Sequence, residues 1–122
     1  MSAYILSGLR IPFAKSFTNY RGITTQDLML AALQPLVERV GLKGKVIGDM
    51  ALGAVIKSSF DWNLARECVL KSGLHPFTPA YDVQRACGTS LETCNHLALK
   101  IQAGQIECGI AGGVDTNSDA PV

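Results

Sequence analysis

Short apolar runs alternate with longer amphipathic stretches along this chain, and that alternation restricts the possible folds more than any other feature. Tyr4 to Gly8 reads as a short buried strand. Leu9 to Ile23 is irregular, with Pro12, Asn19 and Gly22 as turn signals. Thr24-Thr25-Gln26-Asp27 then opens a helix, a threonine cap followed by acid in the first turn. That helix runs to about Val40 and stops at Gly41, with Pro35 inside it predicting a kink or a break. Val46 to Ile56 is a second apolar segment with a strand near Met50 to Val55. Asn63 to Ser72 is helical and closed by Gly73; Ala80 to Val83 is a third strand. Ser90 to Ala103 is a helix closed by Gly104, and Ile106 to Val114 a fourth strand ending in Gly112-Gly113. Strands alternating with helices of this length predict an α/β fold, βαβαβαβ, built on a mostly parallel sheet. Parallel strands are buried on both faces, so continuous apolar runs are what they require. The fourth strand lies close to Val122, so a fifth strand, if the fold needs one, is absent.

The surface chemistry narrows the functions. Charged residues are only 17% of the chain, against a usual value of about 25%. A small monomer needs a charged skin, so this chain either buries surface against a partner or belongs to something larger. Eleven basic residues face ten acidic ones, and that balance argues against nucleic acid or an anionic membrane as the main partner. No apolar run approaches the roughly 20 residues of a membrane span. Met1 to Leu6 has no basic start and too short an apolar stretch for a signal peptide. The expected location is cytoplasmic.

Four cysteines occur, Cys68, Cys87, Cys94 and Cys108, without a Cys-x-x-Cys. Neither His75 nor His96 completes a zinc-ligand pattern, so no metal is expected. In a reducing compartment the cysteines stay as thiols, and Cys68, Cys94 and Cys108 read as small buried hydrophobes. Cys87 differs because it sits in Asp82-Val83-Gln84-Arg85-Ala86-Cys87-Gly88-Thr89-Ser90-Leu91-Glu92, which joins a strand to a helix. Thr89-x-x-Glu92 fits a capping box, so the helix starts at about Thr89. Cys87, Leu91, Cys94, Ala98 and Ile101 recur at helical spacing and read as its inward stripe. At the head of that stripe, unpaired amide N–H groups favour a thiolate and can donate to an oxyanion on an attacked carbonyl. Sites in open α/β sheets lie just past the carboxyl ends of strands. Position alone leaves both a nucleophilic and a merely buried Cys87 open.

Five stretches in order resemble the N-terminal part of a thiolase. Arg10-Ile11-Pro12-Phe13 is similar to the family's arginine-threonine-proline-phenylalanine. Leu64-Ala65-Arg66 is similar to the asparagine-proline-alanine-arginine that opens its second helix. Cys87-Gly88-Thr89-Ser90-Leu91 resembles its nucleophile motif, usually cysteine-glycine-serine-glycine. Ile101-Gln102-Ala103-Gly104 and Ala111-Gly112-Gly113-Val114-Asp115 resemble its helix end and its alanine-glycine-glycine strand end. Thr89-Ser90 replaces the commoner serine-glycine, and Asp115-Thr116-Asn117-Ser118 the usual glutamate-serine-methionine-serine, which suggests a divergent subgroup and leaves acyl chain length open. The glycine after Cys87 favours a thiolase over a ketosynthase.

The resemblance implies that residues 1–122 are an N-terminal thiolase-like domain, incomplete, lacking its last strand and the C-terminal half. It implies Cys87 as the catalytic nucleophile in acyl transfer between coenzyme A and the cysteine, with reversible Claisen cleavage of 3-ketoacyl-CoA. Coenzyme A thioesters are then substrates rather than bound cofactors, and the full-length chain forms a homo-oligomer. The family also uses a histidine and a second cysteine, both in the C-terminal half, so this segment alone is expected to be inactive. His96 cannot replace that histidine, because nine residues of helix set it about 13 Å along the axis from Cys87. Cys94, about 10 Å along, is too far for a disulfide. His75 reads as structural, Arg85 and Lys100 as strand-end and helix-end charges, and Arg66 as an ion-pair former. Coenzyme A contacts in the family lie mostly beyond Val122, so no cofactor-binding residue is assigned. Two rival readings remain: a truncated, non-catalytic interaction module, and a ketosynthase-like condensing enzyme using carrier-protein thioesters.

Overall fold

The computed structural model describes residues 1–118, and its centre is one strand. In chain order the elements are α1 (Thr25–Arg39), β1 (Asp49–Gly53), a 3-10 turn (Ser59–Asp61), α2 (Leu64–Ser72), β2 (Ala80–Val83), α3 (Thr89–Gln102) and β3 (Gly109–Ala111). The sheet order is β2-β1-β3, with both pairings parallel. Met50 stands opposite Ala80 on one side and Ile110 on the other. All five residues of β1 are buried, as a central parallel strand requires.

Strand alternation divides β1 between two chemistries. Met50 and Leu52, both fully buried, join Leu33 and Val37 of α1 and Leu64, Cys68 and Val69 of α2 in the aliphatic core. Ala51 and Gly53 belong to the other face. There Gly53, Gly109 and Gly113 lie so close to Thr89, Leu97 and Ser90 of α3 that an added Cβ would stand within 3 Å of each of these side chains. Small residues on the sheet let α3 lie almost on the backbone.

The local signals for α1 and α2 hold. Thr24 caps α1 by accepting from the Asp27 N–H at 3.1 Å. Asn63 caps α2, and Gly73 closes it with φ at +97°, a left-handed value that glycine adopts without strain. Pro35 does not break α1, which continues to Arg39. Pro35 is exposed, so the carbonyl it leaves unbonded faces solvent.

Two strand expectations need correction. Tyr4 to Gly8 is not a strand: Ile5 is 95% exposed and Leu6 88%. An apolar run signals that burial is required, but it does not supply the neighbour whose backbone would complete a ladder. The fourth strand is also shorter than Ile106 to Val114, being Gly109–Ala111. Its pairing still extends past Ala111, because Gly112 N–H donates to Ala51 O and Val114 N–H to Gly53 O, each at 3.0 Å.

Candidate active site

The turn between β2 and α3 puts one thiol in the open at the carboxyl end of the sheet. β2 ends at Val83, and the chain reverses through Arg85-Ala86-Cys87-Gly88, where Gly88 N–H donates to Arg85 O at 2.9 Å. Ala86 has φ at +44°. For an L-residue with a Cβ the left-handed region costs about 1–2 kcal/mol. The following residue, Cys87, is exposed.

The turn is held from beneath. Thr89 is only 4% exposed, and its hydroxyl makes two bonds at once. It accepts from Arg85 N–H at 2.9 Å and donates to Ala86 O at 2.7 Å. Its methyl packs on the Cα of Gly53. One turn on, Thr93 is fully buried and donates to Ser90 O at 2.7 Å and to Gly112 O at 3.2 Å. Gln84 reaches from the same turn to Val55 O at 3.0 Å. Asp115 accepts from Val55 N–H at 2.8 Å and Ile56 N–H at 3.0 Å. The chain ends after β1, β2 and β3 are thereby tied together around Cys87.

Asp82, one residue before the end of β2, ties the same strand to α2. Its carboxylate accepts from Leu64 N–H at 2.9 Å and Ala65 N–H at 2.8 Å, at the start of α2, and pairs with Lys57. A carboxylate on a helix N-terminus is favoured by both hydrogen bonding and the dipole.

Several expectations about α3 are overturned. There is no capping box: the N-cap is Gly88, without a side-chain cap bond, and the Thr89 hydroxyl is turned back into the loop. Glu92 instead pairs with Arg85 at 3.2 Å and with His96 at 3.3 Å. Cys87, Leu91 and Cys94 do not face inward; all three are exposed, and the buried residues of α3 are Thr89, Thr93 and Leu97. Hydropathy counts threonine as polar, whereas these two satisfy their hydroxyls on nearby carbonyls and bury their methyls. The amides also differ from expectation, since Gly88 N–H and Thr89 N–H donate to Arg85 O and Ala86 O within the turn.

The cysteines divide by environment. Cys68 is fully buried, and burial pushes its thiol from 9.0 up to about 12, so it stays protonated. Cys108 is partly buried, and Cys94 is exposed rather than a core residue. His96 is occupied on both ring nitrogens, with the Tyr81 hydroxyl 3.1 Å from Nδ1 and Glu92 3.3 Å from Nε2. His75 Nδ1 accepts from Phe77 N–H at 3.0 Å, a structural role in its loop. Arg66 makes no ion pair among the described residues; it donates to Pro76 O at 2.6 Å and Thr78 O at 3.0 Å, holding the approach to β2. Lys100 pairs with the buried Asp49 at 2.6 Å and lies 4.5 Å from the centre of the Tyr81 ring. The hydrogen bond to Asp49 raises the lysine, while burial raises the Tyr81 phenol.

The sequence offered Thr89 as a helix cap within the cysteine motif and Gln84 and Asp115 only as members of quoted stretches, without the contacts that hold this turn, and gave Thr93 no role. Only Thr89 carried a signal, its place two residues after the cysteine.

Comparison with known proteins agrees with this architecture. The N-terminal domain of thiolase matches residues 3–122. A 3-ketoacyl-CoA thiolase of Photorhabdus laumondii is 44% identical over 97% of this chain, and one of Serratia proteamaculans 42%. Each alignment covers 27% of the relative, so the chain spans about a quarter of their length. Among solved structures, the acetyl-CoA acetyltransferase of Bacillus anthracis superposes with a TM-score of 0.78 and 29% identity. That match covers 84% of this chain and 26% of the other. A thiolase of Ascaris suum, solved with coenzyme A, superposes over 99% of this chain and 32% of its own at a TM-score of 0.92. At 24% identity that second likeness speaks for the fold. With its parallel sheet, its strand-to-helix cysteine and a match running over nearly every residue, this chain belongs to the thiolase family, in the region of that family's N-terminal domain.

Proposed function

We propose that Cys87 is the acyl-accepting nucleophile of a thiolase acting on 3-ketoacyl-CoA. The observation that carries this reading is the exposed thiol at the turn between β2 and α3, in a chain of the thiolase family. The Cys87 thiolate attacks the C3 carbonyl. The C2–C3 bond breaks, its electron pair stays on C2, and a proton from a general acid completes acetyl-CoA. The acyl group remains on Cys87 as a thioester. A second coenzyme A thiolate attacks that thioester, releasing the longer product and regenerating the Cys87 thiolate. Splitting one difficult step into two gives ping-pong kinetics.

Neither histidine nor any other cysteine of the described residues is arranged to serve Cys87. His96 is engaged by Tyr81 and Glu92, and Cys68 is buried. The thiolase resemblance implies that the activating base and the acid belong to the family's C-terminal half. The activity is accordingly that of a full-length chain, assembled as a homo-oligomer in the cytoplasm and serving fatty-acid metabolism. The exposure of Phe60, Trp62, Phe77 and Leu91 supports assembly, because such side chains favour a covered surface.

In the full-length enzyme, Cys87→Ser should lower thiolysis by at least about 1000-fold, comparable to the loss of other covalent nucleophiles. It should also abolish the mass increase that marks an acyl-enzyme. Cys94→Ser should keep both. Thiolysis that survives Cys87→Ser would end this reading.

A further inference from the structure

We propose that Thr89 is a positioning residue for Cys87, its buried hydroxyl holding the left-handed turn that presents the thiol. The inference rests on Cys87 being the nucleophile. Ala86, directly before Cys87, has φ at +44° and carries a Cβ. Such a residue relaxes toward negative φ unless its surroundings hold it. A relaxation there rotates the following peptide and carries the Cys87 side chain with it.

The restraint is visible at both ends of the strained residue. Thr89 Oγ1 accepts from the N–H of Arg85, on one side of Ala86, and donates to the carbonyl of Ala86 itself. A hydroxyl has a single hydrogen to donate and two lone pairs to accept with, and here it donates once and accepts once. The side chain that makes these bonds cannot shift to follow the turn. It is 4% exposed, and its methyl meets the Gly53 Cα on the central strand. Thr89 thus refers the position of the exposed thiol to the most buried strand of the molecule. Serine would keep the bonds without the methyl; valine would keep the shape without the bonds.

That difference gives the test, made in the full-length enzyme. Thr89→Val should lower kcat at least tenfold while KM for both substrates stays within about twofold. It should also slow alkylation of Cys87 by iodoacetamide at least fivefold, read by peptide mass. Thr89→Ser should stay within about threefold of wild type in both measurements. If Thr89→Val does not accumulate as folded protein, Thr89→Ala carries the same expectations. Wild-type kcat and alkylation in the hydroxyl-free variant would overturn the proposal. So would equal losses in Thr89→Ser and Thr89→Val, or a loss confined to KM. Alkylation reports the position of the thiol whether or not it is the nucleophile. Failure of the clamp is therefore separable from failure of the thiolase reading, which Cys87→Ser decides.

Discussion

Cys68 and Cys87 have the same side chain and opposite situations. Cys87 stands in solvent at a turn, whereas Cys68 is enclosed by α1, α2 and β1, where an ionised sulfur has no water to face. Burial therefore lifts the Cys68 thiol to about 12 from an ordinary 9.0. The folded value lies above the unfolded one, so the stability linked to this thiol is complete below pH 9 and is lost as pH rises toward 12. The loss amounts to at most about 1.4 kcal/mol per pH unit. Cys68→Ala leaves a small cavity at neutral pH but has no thiol to ionise. The stability gap between wild type and Cys68→Ala should narrow between pH 9 and 11 in urea titrations. A gap that stays constant would mean that the thiol is not shielded. In the sequence, position alone left Cys87 open between a nucleophile and a buried residue, and the exposed thiol removes the second of these. Cys94 was misread as buried, since a cysteine at helical spacing gives no sign of which face of its helix the sheet will take.

The face of α3 that meets the sheet is chosen by close approach rather than by hydropathy. Leu91 and Cys94 looked like the inward stripe, yet Thr89, Thr93 and Leu97 are the buried residues. The sheet opposite offers Gly53, Gly109 and Gly113, whose bare backbone lets Thr89, Leu97 and Ser90 come close. No periodicity in α3 alone could reveal this, because the deciding residues are on other elements. The limits of α1 and α2 were easier, since caps and glycine stops are local: Thr24 and Gly73 act as their sequence positions indicate. Gly53→Ala tests the packing. Its Cβ would stand 2.0 Å from Val83 O and 2.4 Å from the Thr89 methyl, both held by rigid surroundings. The substitution should cost about 3 kcal/mol or more, at or beyond the upper end of ordinary overpacking. Thermal unfolding measures it, and an unchanged melting temperature would show that α3 can lift away from β1.

The alternation of strand-like and helix-like segments was enough to give an α/β fold with a parallel sheet, because burial on both strand faces leaves that pattern in the sequence. What it could not give is which apolar segments find their cover within the chain. Tyr4, Ile5 and Leu6 read as a buried strand and are exposed, as are Phe60 and Trp62, each 90% exposed. The low proportion of charge is the compositional trace of the same fact. Trp62 is the sole tryptophan of the 122 residues and makes the point measurable. In the dilute 122-residue chain, iodide should quench its fluorescence nearly as well as that of a free indole. Protection that grows with protein concentration would show a second copy covering it; protection independent of concentration would contradict the exposure.

The central place of β1 also sets an order in time. A ribosome delivers β1 first among the strands, β2 about 30 residues later and β3 about 60 residues later. At roughly 5–20 residues per second, β1 waits some 3–12 s for its second neighbour. Throughout that interval a strand that is fully buried in the finished fold has at least one edge open, so the growing chain is a client for whatever shields nascent polypeptides. Synonymous codons that slow translation between Gly53 and Gly109 would lengthen this exposure without changing a single residue of the finished protein.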